Sequence, residues 1–336
     1  MQFEKSQNAV VFGAGSWGTA LAMVLAEHFN KVTLVGRCED QCAEINGLHT
    51  NANYLPLVTL PDNIVGSTDY SDALDASLIL FVLPTSATRE AAQELADTGI
   101  PSSIPIVSCS KGIERGTGSR MSEIIEELLP ENPIAVHSGP THAEEVSAHL
   151  ASCAVVGSTH LALAAALQQV FTTSYFRTYT SDDVAGIELG GALKNVFAIA
   201  AGIISGIGLG DNAIAAMVTR GLAEMTRLGI ALGGRPETFT GLSGVGDLMV
   251  TCYSPHSRNN RVGLALGSGE TLEEVTARLG MVAEGVPNTQ SIYEAARKHD
   301  IETPIIDAVY QVLYQEKPAK EALGELLTRD LKPEVD

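Results

Sequence analysis

Near its start the chain reads Ala9-Val10-Val11-Phe12-Gly13-Ala14-Gly15-Ser16-Trp17-Gly18. A short apolar strand runs into a G-x-G-x-x-G turn, and a helical stretch over 19–29 follows at once, which is the context expected for dinucleotide binding. Gly13 permits the tight turn, Gly15 lets a pyrophosphate approach the backbone, and Gly18 lets helix and strand pack closely. The first N–H groups of the helix then meet the phosphates. The stretch predicts a dinucleotide site, and the alternative is an ordinary tight turn.

Apolar strand-like runs alternate with helical stretches through the first half of the chain, as in a doubly wound, mainly parallel sheet. From about Asp182 onward, helical periodicity dominates. We therefore expect an α/β fold with an N-terminal Rossmann-type doubly wound sheet (residues 1–185) followed by an all-helical C-terminal domain (residues 186–336). The predicted strands are 9–12, 31–35, 78–83, 104–108, 133–137, 153–157 and 175–180.

Lys194 is the only charged residue between Glu188 and Asp211. An isolated ammonium in an apolar helix is costly to desolvate unless it is paired or used. The positions spaced by four around it (186, 190, 198, 202 and 206) are all Gly or Ala, which leaves a groove that another backbone or a ligand can approach. Two interpretations stay open at this point. Lys194 is either a reactive group, or part of a packing seam from which it reaches water.

A second lysine, Lys111, follows a predicted strand in the segment Ser108-Cys109-Ser110-Lys111-Gly112. Ligands of open α/β sheets lie outside the carboxyl ends of the strands, so this position favours binding over the role of a solvated loop lysine. The next predicted strand ends in His137-Ser138-Gly139-Pro140-Thr141. Thr141 with Glu144 matches a capping box, which predicts that a helix begins there.

In the helical half, Ser257 is expected to cap a helix, so that Arg258 and Asn259 lie in its first turn. A cation at that end opposes the helix dipole. The mismatch makes sense if Arg258 meets a phosphate together with the backbone N–H groups. In so acidic a chain we favour this interpretation over an exposed arginine tolerated at small cost.

The chain has 336 residues and a formal net charge of −19, which disfavours nucleic acids and anionic membranes as partners. It begins without the apolar stretch of a signal peptide, and five scattered cysteines indicate neither a disulfide framework nor a metal site. We expect a cytoplasmic protein without stable membrane association that acts on a small molecule. An anionic substrate would be repelled by the overall field, so a local cluster of cations must bind it.

These segments resemble the bacterial NAD(P)-dependent glycerol-3-phosphate dehydrogenases nearly end to end. The resemblance implies reversible hydride transfer between NAD(P)H and dihydroxyacetone phosphate, giving sn-glycerol 3-phosphate for phospholipid synthesis. The residues themselves do not reveal the oligomeric state, and we expect a homodimer. The matching motifs are 13–22, Ser110-Lys111-Gly112, Ser138-Gly139-Pro140, 191–196, 219–225, Gly246-Asp247-Leu248, Ser257-Arg258-Asn259 and Glu284-Gly285.

The resemblance also implies roles for individual residues. Lys194 is the proton donor and acceptor. Thr141-His142 stands where a serine and an apolar aromatic residue are common, and Ile214 stands where a basic residue is frequent. The substrate is lined by Lys111, Gly139, Thr141, Lys194, Asp247, Ser257, Arg258 and Asn259. The dinucleotide contacts Ser16, Trp17, Arg37, Lys111, Ala143, Arg258, Val282 and Glu284, besides the glycine turn of Gly13, Gly15 and Gly18.

The chemistry agrees with this assignment. Reducing a ketone develops negative charge on its oxygen, and a nearby ammonium such as that of Lys194 stabilises the charge and donates the proton. An apolar helix and Lys111 should lower the pKa of Lys194 toward neutrality. One alternative is a related two-domain reductase of a β-hydroxy or keto acid, which would not need the helix start at Ser257. Another is a dinucleotide-sensing regulatory protein, which has no use for Lys194.

The choice of cofactor depends on Arg37, which follows the second predicted strand about twenty residues after the glycine turn. Asp or Glu at this place selects NAD, whereas an arginine suits the 2′-phosphate of NADP. Glu39 and Asp40 follow closely and remain candidates for the ribose. The pattern therefore predicts that NADP(H) and NAD(H) both work and that NADPH is preferred.

Overall fold

The sheet predicted for the first half of the chain is present in the computed structural model, which describes residues 2–279, 283–331 and 333–334. Its eight strands lie in the order β3-β2-β1-β4-β5-β6-β7-β8. Neighbouring strands are parallel, except that β6 and β7 are antiparallel. The strands are β1 (Asn8–Phe12), β2 (Lys31–Val35), β3 (Ile64–Ser67), β4 (Leu78–Phe81), β5 (Ile106–Ser108), β6 (Ile134–Ser138), β7 (Ser152–Gly157) and β8 (Phe176–Ser181).

Helices cover the sheet and then make up the second half of the described chain. The helices of the first half are α1 (Ser16–Ala26), α2 (Glu39–Leu48), α3 (Thr85–Asp97), α4 (Met121–Leu128), α5 (Ala143–Ser147) and α6 (Leu161–Phe171). Those of the second half are α7 (Val184–Ile207), α8 (Asp211–Ala231), α9 (Pro236–Phe239), α10 (Asp247–Tyr253), α11 (Arg258–Gly267), α12 (Leu272–Leu279), α13 (Gly285–Lys298), α14 (Pro304–Tyr314) and α15 (Ala319–Leu327).

The predicted strands are all present, with small shifts at their ends, and the structure adds one that the pattern missed. This is β3 (Ile64–Ser67), at the edge of the sheet. It is short and contains Gly66, where a Cβ atom would lie 2.8 Å from Cys42 Cα of the covering helix α2. Because a glycine stands where a strand usually has an apolar side chain, the sequence here lacks the hydrophobic pattern that predicts a strand.

Helix α7 runs through the centre of the helical half, and its small residues bring another backbone close. A Cβ atom on Gly202 would lie 2.0 Å from the carbonyl oxygen of Asn260, and one on Gly206 would lie 2.2 Å from that of Leu264. The groove predicted around Lys194 is therefore filled along 202–206 by the backbone of α11. Among the described residues α7 alone has the length and composition of a membrane span, and its most apolar window is buried within the protein.

A buried ion pair ties the two halves together. Glu188 on α7 accepts hydrogen bonds from Arg120 Nη1 at 2.7 Å, from Ser122 N at 2.8 Å and from Ser122 Oγ at 2.5 Å, so it holds the start of α4. Burial raises the pKa of the Glu188 carboxyl, and the charge of Arg120 opposes that rise. The contact fixes how α7 lies against the sheet-containing half, and thereby where Lys194 is placed.

Candidate active site

The glycine turn between β1 and α1 has an open face. Gly13 has a φ of 115°, and a Cβ atom on it would lie 2.1 Å from the carbonyl oxygen of Val82. A Cβ on Gly18 would lie 1.8 Å from the carbonyl oxygen of Gly13. At Gly15, by contrast, the nearest described atom belongs to Tyr54, 4.0 Å away. Gly13 and Gly18 are required by the fold itself, whereas Gly15 leaves space for a ligand.

Side chains from α2 and the following loop hold this turn in place. The carbonyl oxygen of Ala14 accepts hydrogen bonds from Gln41 Nε2 at 2.6 Å and from Asn51 Nδ2 at 3.0 Å. Gly15 caps α1, and Ser16 lies in its first turn, where backbone N–H groups lack partners within the helix. An open glycine followed by free N–H groups fits the pyrophosphate of a dinucleotide.

Lys194 is buried, with 6% of its surface exposed, so the interpretation in which it reaches out to water is wrong. Its Nζ donates to Asp247 Oδ1 at 2.5 Å and to Thr251 Oγ1 at 2.7 Å. Both acceptors lie on α10, one helical turn apart. An ammonium has three N–H donors. Among the described residues these two acceptors take two of them, so one N–H is left for a ligand.

Lys111 reaches the same carboxylate from the other half of the protein. Its Nζ donates to Asp247 Oδ2 at 2.7 Å and to the carbonyl oxygen of Gly139 at 3.0 Å. The carbonyl oxygen of Lys111 accepts hydrogen bonds from Asn195 Nδ2 at 3.3 Å and from Asn288 Nδ2 at 3.0 Å. Two lysines from two domains thus share one buried carboxylate, in the crevice expected at the carboxyl ends of the strands.

Burial and charge shift the pKa values of this trio. Burial lowers the pKa of Lys194 to about 8, a fall that Asp247 opposes and the ammonium of Lys111 reinforces. For Asp247, burial acts to raise the pKa of the carboxyl, but the ammoniums of Lys111 and Lys194 hold it below its usual range. The carboxylate is therefore charged near neutral pH, and Lys194 is poised to gain or lose a proton there.

The start of α11 has the geometry predicted for it. Ser257 is the N-cap, and its Oγ accepts a hydrogen bond from Asn260 N at 3.2 Å. Asn259 Nδ2 donates to Asn195 Oδ1 at 2.9 Å, and Asn259 Oδ1 accepts from Gly285 N at 2.9 Å. Asn259 therefore joins the first turn of α11 to α7 and to α13, which places that turn next to Lys194.

Glu284 lies at the start of α3, and Arg258 is close enough for its charge to act on the Glu284 carboxyl. Thr85 Oγ1 donates to Glu284 Oε2 at 3.1 Å. Burial raises the pKa of the Glu284 carboxyl, while the hydrogen bond from Thr85 and the charge of Arg258 oppose the rise. The site thus gathers an arginine, a glutamate and two lysines around the crevice between the domains.

The capping box predicted at Thr141 is wrong. Helix α5 begins at Ala143, and its N-cap is His142. Thr141 Oγ1 instead donates to the carbonyl oxygen of Gly139 at 3.1 Å, which keeps the hydroxyl in the turn before the helix. Side-chain bonds of this local kind compete with capping. Lys111 Nζ and Thr141 Oγ1 therefore donate to the same carbonyl oxygen, that of Gly139.

Other predicted positions are more scattered. Arg37 is exposed after β2, and its charge acts on Tyr70 nearby. Ile214 is buried in the apolar core of the helical half. Val282 lies outside the described residues. Across the described ranges no group of three His, Cys, Asp or Glu side chains could hold a metal ion. The five cysteines are free thiols.

The sequence analysis missed three side chains that build the site. Thr251 binds Lys194, while Asn195 and Asn288 hold the backbone of Lys111. Thr251 lies four residues after Asp247, on the same face of a helix, and Asn195 directly follows Lys194. These spacings could have identified Thr251 and Asn195 from the sequence. For Asn288 the sequence holds no comparable signal, because its partner is far away along the chain.

Comparison with known proteins agrees with this arrangement of residues. A profile of the N-terminus of NAD-dependent glycerol-3-phosphate dehydrogenase matches residues 8–164, and a profile of its C-terminus matches residues 183–324. The chain belongs to the NAD-dependent glycerol-3-phosphate dehydrogenase family. The family resemblance and the fold class expected from the sequence are thereby confirmed.

Individual relatives align over nearly the whole chain. A glycerol-3-phosphate dehydrogenase (NAD(P)+) of Enterococcus faecalis is 49% identical over 332 residues, which cover 98% of this chain and 97% of the relative. The crystal structure of glycerol-3-phosphate dehydrogenase from Coxiella burnetii superposes with a TM-score of 0.93 at 38% identity, covering 96% of this chain and 99% of that chain.

A more distant structure shares only the fold. A ketopantoate reductase family protein of Ralstonia eutropha superposes with a TM-score of 0.60 at 17% identity, covering 94% of this chain and 99% of that chain. The two-domain plan thus also occurs in another reductase family, so the fold alone does not identify the substrate.

The open face of Gly15 generates a prediction about dinucleotide affinity. Gly15 has φ −81°, which alanine adopts readily, so Gly15→Ala should fold normally. Its methyl group would occupy the space left for the pyrophosphate and should raise the Kd for NADPH more than about tenfold, or about 1.4 kcal/mol. The fluorescence of Trp17, the single tryptophan, reports binding, and thermal melting reports folding.

Gly18→Ala is the matched control, because its Cβ meets protein backbone and should lower the melting temperature. Unchanged NADPH affinity in Gly15→Ala would mean that the pyrophosphate does not approach Gly15.

Proposed function

We propose that this protein is an NAD(P)-dependent glycerol-3-phosphate dehydrogenase that interconverts dihydroxyacetone phosphate and sn-glycerol 3-phosphate. The observation that carries the proposal is the buried ammonium of Lys194, fixed by Asp247 and Thr251, with one N–H that no described residue accepts. A ketone oxygen placed at that N–H would meet both a proton donor and a positive charge. The near end-to-end match to relatives of this name supports the same substrate.

The remaining residues of the site bind different parts of the substrate. Lys111 adds a second positive charge beside Asp247, and this favours a developing oxyanion over a neutral ketone. The first turn of α11 offers backbone N–H groups, together with Arg258, to the phosphate. Gly139 and Thr141 form the wall next to Lys111. Ser257 and Asn259 also line the substrate in this proposal, and they hold that turn in place.

The dinucleotide, when bound, supplies or accepts the hydride. The residues that would hold it are those of the glycine turn with Ser16 and Trp17, and across the crevice Ala143, Arg258 and Glu284. Val282 and Arg37 complete the proposed set. Lys111 would touch both ligands, because it lies between the strand ends and Asp247.

The alternative functions fit the site less well. A reductase of keto acids would have no need for a capped helix start that presents Arg258. A dinucleotide sensor would not need a lysine that is buried at a cost and held with one N–H free. Both alternatives remain testable by assay with dihydroxyacetone phosphate.

Several broader properties belong to this proposal. We place the dinucleotide domain at residues 1–185 and the substrate domain at residues 186–336. In support, the last strand ends at Ser181, and α7, the first helix of the helical half, begins at Val184. The enzyme would act in the cytoplasm as a homodimer, with no metal, no nucleic acid partner and no stable membrane association. Its product would enter phospholipid synthesis.

Lys194→Met should lower kcat by roughly 10²–10⁴, the contribution typical of general acid–base catalysis, because it removes the proton donor. Methionine keeps an unbranched side chain that is one atom shorter, and the dinucleotide site lies elsewhere, so the Kd for NADPH measured by Trp17 fluorescence should change little. The assay follows the nicotinamide absorbance with dihydroxyacetone phosphate. A near-normal kcat would refute the role of Lys194.

The same lysine sets the expected pH dependence of the wild-type enzyme. Below pH about 8, Lys194 carries the proton that ketone reduction needs, so kcat/KM for reduction should fall as pH rises through that value. Alcohol oxidation needs the neutral amine, so its kcat/KM should rise over the same range. Two profiles that move in the same direction would assign the titration to another group.

Arg258→Ala should weaken recognition of the phosphate. The loss in kcat/KM for dihydroxyacetone phosphate should be about 2 kcal/mol, the low end for truncating a charge pair, because the Arg258 side chain is exposed. Unphosphorylated dihydroxyacetone should lose little. Arg261→Ala, in the next turn of the same helix, is the matched control. Equal losses on both substrates would show that Arg258 does not bind the phosphate.

Arg37→Ala should lower the preference for NADPH over NADH. The guanidinium follows β2, where it can pair with the 2′-phosphate. The measurement is the ratio of kcat/KM for the two cofactors, in wild type and variant. Glu39→Gln tests the competing contact with the ribose of NADH. If Glu39 makes that contact, the variant should lower kcat/KM for NADH. If Arg37→Ala leaves the ratio unchanged, Arg37 is not the discriminating residue.

A further inference from the structure

His142 is a polar side chain in the crevice to which the proposed function gives no role. Its Nε2 is buried and makes no hydrogen bond to any residue in the described part of the chain. A buried nitrogen without a partner is costly, and in a native protein it calls for an explanation. The resemblance expects an apolar aromatic residue here, which would carry no such cost.

The ring lies where the two domains meet. Its chain segment is fixed on one side, because the carbonyl oxygen of Gly139 accepts from Lys111 Nζ at 3.0 Å. On the other side the ring packs near the substrate domain, with its centroid 5.9 Å from that of His256 and with the backbone carbonyl of Val250 placed to accept a hydrogen bond from the ring. Val250 directly precedes Thr251, which binds Lys194. His142 therefore borders the space in front of Lys194.

Dihydroxyacetone phosphate has three polar groups, and the proposed site accounts for two of them. The ketone oxygen meets Lys194, and the phosphate meets Arg258 and the start of α11. The primary hydroxyl has no assigned partner, and among the described residues neither has His142 Nε2. A hydroxyl both donates and accepts, so it can satisfy that nitrogen in either tautomer of the neutral ring.

We infer that the His142 imidazole hydrogen-bonds the primary hydroxyl of the substrate and thereby selects dihydroxyacetone phosphate over its deoxy analogue. The inference rests on the proposed function. The charges that face the ring are those of Lys194, Asp247 and Glu144. Burial and the charge of Lys194 lower the pKa of His142, so the ring stays neutral. A neutral ring suits a hydroxyl better than it suits a phosphate.

The test compares dihydroxyacetone phosphate with hydroxyacetone phosphate, which lacks the primary hydroxyl. His142→Phe keeps a planar ring and removes the nitrogen. It should lower kcat/KM for dihydroxyacetone phosphate roughly 10- to 100-fold, since a polar group that loses its buried partner costs on that scale. The value for hydroxyacetone phosphate should change less than about threefold, since that substrate has nothing to lose. His142→Gln, which can still bind a hydroxyl, should recover part of the discrimination.

His256→Phe is the matched control, because it changes the neighbouring exposed ring and should leave the ratio between the two substrates as in wild type. Equal losses on both substrates would overturn the inference by showing that His142 acts only on packing or on the phosphate. An unchanged ratio in His142→Phe, with normal melting and normal NADPH binding, would overturn it as well. If the wild-type protein reduces neither substrate, the proposed function itself fails.

Discussion

One buried carboxylate organises this protein. Asp247 is 1% exposed, and its two oxygens each receive an ammonium, Lys194 from its own domain and Lys111 from the other. Without Asp247 the two ammoniums would repel each other inside a poorly solvated crevice. With it, the trio carries one net positive charge. That net charge is unfavourable by itself in the crevice and becomes favourable once an oxygen gains negative charge there, which is the condition for stabilising a transition state more than a substrate.

Bringing the three groups together depends on how closely the two domains approach. A Cβ atom on Gly191 would lie 2.7 Å from Ser138 Oγ and 3.4 Å from Lys111 Cγ. A larger residue at position 191 would therefore press against β6 and the stem of Lys111. Glu188, one turn earlier on α7, binds Arg120 and Ser122 from the sheet-containing half. The same helix thus presents the reactive lysine, the space for the second lysine and the ion pair that holds the domains in register.

Much of this could be predicted from the sequence, and what could not has a physical reason. The apolar run before Gly13 and the strand–helix alternation predicted the sheet, because burial on both faces leaves a strong signal. Strand β3 escaped because it is short, lies at the edge and contains Gly66. Lys194 stood out because its neighbours are apolar. That Lys194, Lys111 and Asp247 share one contact could not be predicted from spacing, since the residues come from separate elements and only packing brings them together. The residue types at Thr141 and Glu144 matched a capping box, but the Thr141 hydroxyl donates a hydrogen bond to the carbonyl oxygen of Gly139.

An acidic chain can hold a cationic crevice because water and salt screen exposed charges more than buried ones. Exposed charges farther apart than about 8 Å are largely screened at physiological ionic strength, so the net charge of −19 acts weakly at the site. Buried charges are screened much less. Two lysines held at 2.5 and 2.7 Å from Asp247 therefore dominate the local field, although acidic residues outnumber basic ones in the chain as a whole. An acidic surface can then favour solubility without preventing the binding of a small anion, because a buried carboxylate holds the two lysines of the crevice in place.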